Sequence, residues 1–200
     1  MDFSSKSSVG DYEGAADNAR GLLVPGKNLP GNVFRDSWEI FLLFDPDRIF
    51  EMEFIDEVKL LLEAEGARYA SLVRLGESAD RIDDKDLFLI ARETDGSDYK
   101  KMLKGVGMGE GWVYDMGRFV CTSNLKGWSI YCERNNEIAV FAIKSSRLYE
   151  KIRFLLSRMQ ASSISDAIGD HGLYSLPHGI ISDTWKKTLL KEYGGRGGQA

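Results

Sequence analysis

Residues 119–143 read FVCTSNLKGWSIYCERNNEIAVFAI, and this stretch decides the fold. Phe119–Thr122, Trp128–Cys132 and Ile138–Ile143 are short runs rich in aromatic and β-branched residues, the material of strands. Asn124–Gly127 and Arg134–Glu137 separate them with residues that tolerate left-handed backbone, so consecutive strands turn back on one another and pair antiparallel. Alternation within the middle run places Trp128, Ile130 and Cys132 on one pleat face and Tyr131 and Glu133 on the other.

Outward from this core, Trp112–Tyr114, Tyr69–Leu75 and Leu87–Ala91 also read as strands. So does the segment Trp38–Phe44, where Trp38, Ile40, Leu42 and Phe44 alternate with Glu39, Phe41 and Leu43. Asp45-Pro46 starts a helical region whose stripe is Phe54, Ile55, Val58, Leu61 and Leu62, with Gly66 as its stop. A short helix is expected from Ser97, as a cap, to Lys104. A longer one behind Ser145-Ser146 carries Leu148, Tyr149, Ile152, Leu155, Leu156 and Met159 inward and Arg147, Lys151, Arg153 and Arg158 outward. The last, Asp183 to Tyr193, turns Trp185 and Leu189 inward and ends at Gly194. These elements predict an α+β fold: a mostly antiparallel sheet of about five to seven strands, with helices packed mainly on one face.

A chain of 200 residues fills one core well and two poorly. One domain is therefore expected over 36–193. Residues 1–35, rich in Ser, Gly, Asp and Asn, read as a flexible N-terminal arm, and 194–200 as a disordered tail. No run of about 18 apolar residues marks a membrane span. The N-terminus has no apolar segment of the secretory type, and the only cysteines, Cys121 and Cys132, fall inside strand-like runs, where small buried thiols are expected. A cytoplasmic protein is the expectation.

The net charge of −5 is unevenly spread. Residues 1–117 hold 24 acids against 14 bases, whereas residues 118–160 hold 3 acids against 8 bases. Two acidic clusters stand out: Asp45, Asp47, Glu51, Glu53, Asp56 and Glu57, then Glu77, Asp80, Asp83, Asp84 and Asp86. This asymmetry favours a basic partner and argues against nucleic acid.

Sequence signals for chemistry are weak. Gly105–Gly111 has the glycine density of a phosphate loop, but a helix precedes it and a strand follows, the reverse of the required order, and no Gly-Lys-Ser/Thr occurs. The only histidines, His171 and His178, flank Ser175 in a loop with no Gly-x-Ser-x-Gly elbow. A hydrolase or transferase using dispersed carboxylates and one of these histidines is the enzymatic alternative. Two Cys and two His without ligand spacing make no zinc site, and the acidic runs lack a calcium-loop pattern. No cofactor or metal is expected. Among the aromatics Trp112, Tyr114, Trp128 and Tyr131, core roles are favoured, with Tyr131, on the less apolar pleat face, the candidate for an interface.

The segment from Gly127 to Lys144 resembles the central hairpin of bacterial immunity proteins that accompany polymorphic toxins. Trp128, Tyr131 and Glu133 match the Trp-x-x-Tyr-x-Glu pattern of the first strand. Glu137, Ile138, Ala139 and Val140 match the Asp/Glu-Ile-Ala-Val of the second. The resemblance implies a protein that binds and inhibits one cognate toxin by covering its active site, and a basic toxin domain would suit the acidic clusters. An adaptor of a secretion or mobile-element system, its N-terminal arm ordering on a partner, is the other non-enzymatic reading.

Overall fold

A computed structural model describes residues 9–76, 86–105, 111–169, 171, 174–177 and 181–194. Its strands are β1 Ile40–Phe44, β2 Tyr69–Leu75, β3 Leu87–Ala91, β4 Arg118–Ser123, β5 Trp128–Glu133, β6 Ile138–Ile143 and β7 Ser162–Ser163. They form one seven-stranded sheet in the order β3-β2-β4-β5-β6-β1-β7. Every neighbouring pair is antiparallel, as the turn-separated runs predict. Helices α1 Val9–Leu22, α2 Phe54–Glu65, α3 Gly96–Lys104, α4 Ser146–Arg158, α5 Ile164–Ile168 and α6 Asp183–Tyr193 complete the α+β fold among the described residues.

Local chemistry sets most boundaries. Gly66 ends α2 in the left-handed conformation, at φ 82°, as the sequence predicts. Ser145 caps α4, its hydroxyl accepting from the Leu148 amide at 3.3 Å. One cap falls two residues before the expected Ser97, and the last helix is capped by the residue that precedes Asp183. Asp95 accepts from the Ser97 amide at the start of α3, and Ser182 accepts from the Trp185 amide at the start of α6. Trp112–Tyr114, expected as a strand, is a 3₁₀ turn between α3 and β4.

Strand alternation sorts the interior into two clusters. On one face Phe44, Leu72, Phe119, Trp128, Ile130 and Phe141 pack against Leu61, Leu62, Tyr99, Ile152 and Leu155, so α2, α3 and α4 share this face. On the other, Leu43, Val73, Val120, Tyr131 and Val140 pack against Ala15, Ala19, Leu22, Phe34, Trp38, Ala167, Leu189 and Tyr193. Helices therefore cover both faces, with α1, α5 and α6 on the second.

This second layer corrects the reading of residues 1–35 as a flexible arm. From residue 9 onward the segment is helix α1, and beyond it a loop closed by the Leu23–Phe34 bridge and by Val24 N donating to Val33 O at 2.8 Å. Its buried residues include one helix stripe, Ala15, Ala19 and Leu22, and then Val33 and Phe34, all at most 1 % exposed, with Trp38 beside them. The α6 residue Tyr193 fastens the loop, its hydroxyl accepting from Val33 N at 2.9 Å and donating to Gly31 O at 2.7 Å. Residues 1–8 and 195–200 lie outside the described residues.

A mobile arm would tolerate truncation of its side chains. Because the Phe34 ring packs tilted against Trp38 and edge-on to Tyr131 inside the second cluster, Phe34→Ala is expected to lower the free energy of unfolding by about 3 kcal/mol in urea titration. An unchanged midpoint would mean this layer contributes nothing.

Candidate protein-binding surface

Antiparallel pairing brings distant chain segments to one end of the sheet. β1, β2 and β5 end there and β3, β4 and β6 begin there, with Leu75 opposite Arg118, Arg118 opposite Glu133 and Glu133 opposite Ile138. The links at this end carry Asp45 and Asp47, Asp86, Asp115 and Glu137.

Two arginines organise the acids. Arg134, with a side chain only 9 % exposed, donates from Nε and Nη2 to Asp47 Oδ1 at 3.1 and 2.9 Å. Its Nη1 reaches the carbonyls of Val113 and Asp115 at 2.7 and 2.8 Å, and the guanidinium lies 4.1 Å from the Phe50 ring centroid. Arg74 donates from Nε and Nη2 to Asp86 Oδ1 at 2.8 and 2.5 Å and reaches Asp115 Oδ2 at 3.4 Å. Asp115 also accepts from the Gly117 amide at 2.7 Å. Residues 113–117 are thereby held in place, and they present Tyr114 and Met116 at 64 % and 55 % exposure.

The sequence-predicted residues meet different fates. Asp45, Asp47, Glu51, Glu53 and Asp56 are exposed. Asp45 caps the 3₁₀ turn Pro46–Phe50, accepting from the Asp47 amide, while Glu51 and Asp56 form ion pairs with Arg48 and Lys59 at 2.7 and 3.7 Å. Asp86 is bound to Arg74, and Asp80, Asp83 and Asp84 lie outside the described residues, as does Glu77. Glu57 is not a surface acid. It is buried between α2 and α4, where Arg48 reaches it at 3.1 Å, and burial raises its pKa despite that arginine.

Tyr131 is not an interface residue. It is 2 % exposed in the second cluster, because the face away from Trp128 is also covered, and its hydroxyl donates to Glu133 Oε1 at 2.9 Å. Glu133 is itself buried and also accepts from the Leu29 amide at 2.8 Å and from Asn136 Nδ2 at 2.5 Å. Reasoning from the sequence missed Tyr114 and Met116. The available signal was the Asp-Met-Gly that follows Tyr114, which breaks a strand pattern.

The two outer glycines of the Gly105–Gly111 stretch and both cysteines serve packing, while residues 106–110 lie outside the described residues. Gly105 ends α3 at φ 69°, and a side chain at Gly111 would collide with the carbonyls of Leu103 and Lys104, so both glycines serve the α3 terminus. Both cysteines are free and buried, and burial pushes their thiols up, away from the reactive thiolate. His171 is exposed, and its backbone amide donates to Asp166 O at 2.9 Å. Ser175 is exposed too, while His178 lies outside the described residues. Among the described residues no group of His, Cys, Asp and Glu is placed to hold a metal, and no helix is long and apolar enough to cross a membrane.

Scans against protein-family models, the curated proteins and the solved structures each return no match.

The raised pKa of Glu57 fixes a sign. A carboxyl that holds its proton more tightly when folded adds stability below its unfolded pKa, and that increment is lost as pH rises through the folded value. Glu57→Gln is therefore expected to unfold at higher denaturant than the parent at pH 7. The difference should close as the pH falls below the ordinary glutamate range, as urea titration at both pH values would read.

Proposed function

We propose that this chain is an immunity-type protein that binds and inhibits a cognate bacterial toxin in the cytoplasm. The contact surface is the sheet end bearing Asp45, Asp47, Asp86 and Asp115 around Tyr114 and Met116. One observation carries the reading: four chain segments converge on two exposed apolar side chains, and a deeply seated arginine holds the backbone between them. Tyrosine and methionine are enriched in the centres of protein interfaces, and charged rims set approach rate and partner choice. The resemblance of Gly127–Lys144 to immunity-protein hairpins supports the same reading, since that hairpin supplies Arg134. A toxin with a basic substrate cleft is the partner whose charge fits.

The acids already paired in the free protein do not oppose this. Ion pairs at exposed sites are worth about 0–1 kcal/mol, so Glu51 can exchange Arg48 for a partner's cation at small cost, whereas Asp47 stays with the enclosed Arg134.

The test is co-expression with the toxin encoded by the neighbouring reading frame. The chain should restore growth and form a stoichiometric complex whose affinity falls with added salt. Tyr114→Asp with Met116→Asp should weaken the complex about 100-fold or more, while His171→Ala keeps full protection. Absence of protection, or protection lost with His171→Ala alone, would overturn the proposal.

A further inference from the structure

α2 and α4 pack side by side on the same sheet face, and contacts along their seam show that they run antiparallel. At one end Arg48 reaches Glu57 Oε1 at 3.1 Å and the Arg158 carbonyl at 3.4 Å. Further along, Lys151 Nζ donates to the Ala64 carbonyl at 3.3 Å. At the other end a side chain on Gly127 would touch both Glu65 and Leu148. Asp56 is therefore level with Arg158 and Glu63 with Lys151. Leu60 and Phe154, each one turn from these positions, are level with one another.

Outward, the two helices differ in charge. Arg147, Lys151, Phe154 and Arg158 recur at three and four residues and are exposed together on α4, while Glu150 beside them faces Arg153 at 3.9 Å. Asp56, Leu60 and Glu63 form the exposed stripe of α2, with Lys59 half-buried at its side. Phe154 is the most exposed large apolar side chain among the described residues, at 79 %, and Leu60 is 43 % exposed. Leu60 is also the one apolar residue lining an open groove of about 380 Å³, beside Asp56, Lys59, Glu63, Arg92 and Arg158.

Each stripe complements the other and not itself. Laying α4 on α4 opposes bases, and laying α2 on α2 opposes acids. Laying α4 on α2 sets bases against acids. A two-fold axis parallel to both helices and midway between them makes that match twice. Rotation about such an axis preserves height along the helices, so each Phe154 lands on the other copy's Leu60. Arg158 then meets Asp56, and Lys151 meets Glu63. Among the described residues Glu63, Lys151 and Arg158 have no ion pair, and Asp56 has only Lys59 at 3.7 Å.

We propose that two copies of this chain dimerise through the outer faces of α2 and α4, each Phe154 seated over Leu60 in the other copy's groove. The contact is isologous and closes at two copies. It does not depend on the toxin reading and is measured on the isolated chain.

The 22.4 kDa chain should sediment as a dimer at high micromolar concentration. Phe154→Asp should weaken association about 100-fold or more with an unchanged circular dichroism spectrum, since the ring it removes packs on the outside. Glu63→Lys and Lys151→Glu each set like charges opposite one another twice, and each alone should weaken association about 10-fold or more. Mixed in equal amounts, these two variants restore both ion pairs and should form a heterodimer as readily as the wild type forms its homodimer. A change acting within one chain could not produce that recovery. A wild-type chain that stays monomeric, a Phe154→Asp variant that dimerises unchanged, or a mixture that associates no better than its components would overturn the proposal.

Discussion

All six side chains of β6, Ile-Ala-Val-Phe-Ala-Ile, are buried, and so are all six of β5 beside it. Side chains of a strand alternate between faces, so two adjacent strands without a wet position leave the sheet no face to turn toward water. That double burial is the constraint from which the architecture follows. One face is covered by amphipathic helices of ordinary kind. The other is covered by α1, α5 and α6 together with the irregular chain after α1, which must satisfy its own backbone polar groups as it is buried. Glu133 and Tyr193 answer that need. The buried carboxylate takes the Leu29 amide, the Tyr131 hydroxyl and the Asn136 amide, and Tyr193 bridges Val33 and Gly31. A buried carboxylate with three donors is stable where an unpaired one would not be.

The same constraint explains how far the sequence could be read. Strand runs separated by turn residues specify antiparallel pairing locally, and β2, β3 and β6 fall where the pattern places them. The second layer was harder to see, because its helix α1 contributes Ala15 and Ala19, which carry little hydrophobicity of their own and pack by being small, and its larger residues Phe34 and Trp38 stand apart from any periodic run. Yet β6 held the clue. A strand that reads Ile-Ala-Val-Phe-Ala-Ile has no polar alternation, and that continuity announces two covers. Tyr131 was misplaced for the same reason, as its face seemed wet only while the second cover went unrecognised.

Charge was the less legible property. A run of acids looks like an acidic surface in a linear sequence, but ion pairs are made across the fold. Asp47 meets Arg134 from 87 residues away, and Asp86 meets Arg74 from across a hairpin. Glu57 belongs to the same acidic run as Glu53 and Asp56, but one helical turn rotates it into the interface between α2 and α4, where its partner Arg48 lies nine residues earlier. Spacing within α2 could reveal that rotation, since Glu57 is adjacent to the apolar stripe. Nothing local could reveal the pairing of Asp47.

These pairings hold the backbone of the sheet end in place and set acids around it. Arg134 is almost wholly enclosed and holds two main-chain carbonyls, so removing it would strand buried acceptors. Asp47, itself 68 % exposed, supplies the carboxylate that compensates this enclosed charge. A partner docking there would find Tyr114 and Met116 already positioned and would leave the Asp47–Arg134 pair in place, because withdrawing the carboxylate would leave the enclosed guanidinium charge uncompensated. Preorganisation of the apolar pair lowers the ordering cost of association, and the loosely held acids govern encounter more than retention. Binding strength at such a surface would reside in two side chains that the acidic clusters of the sequence do not contain.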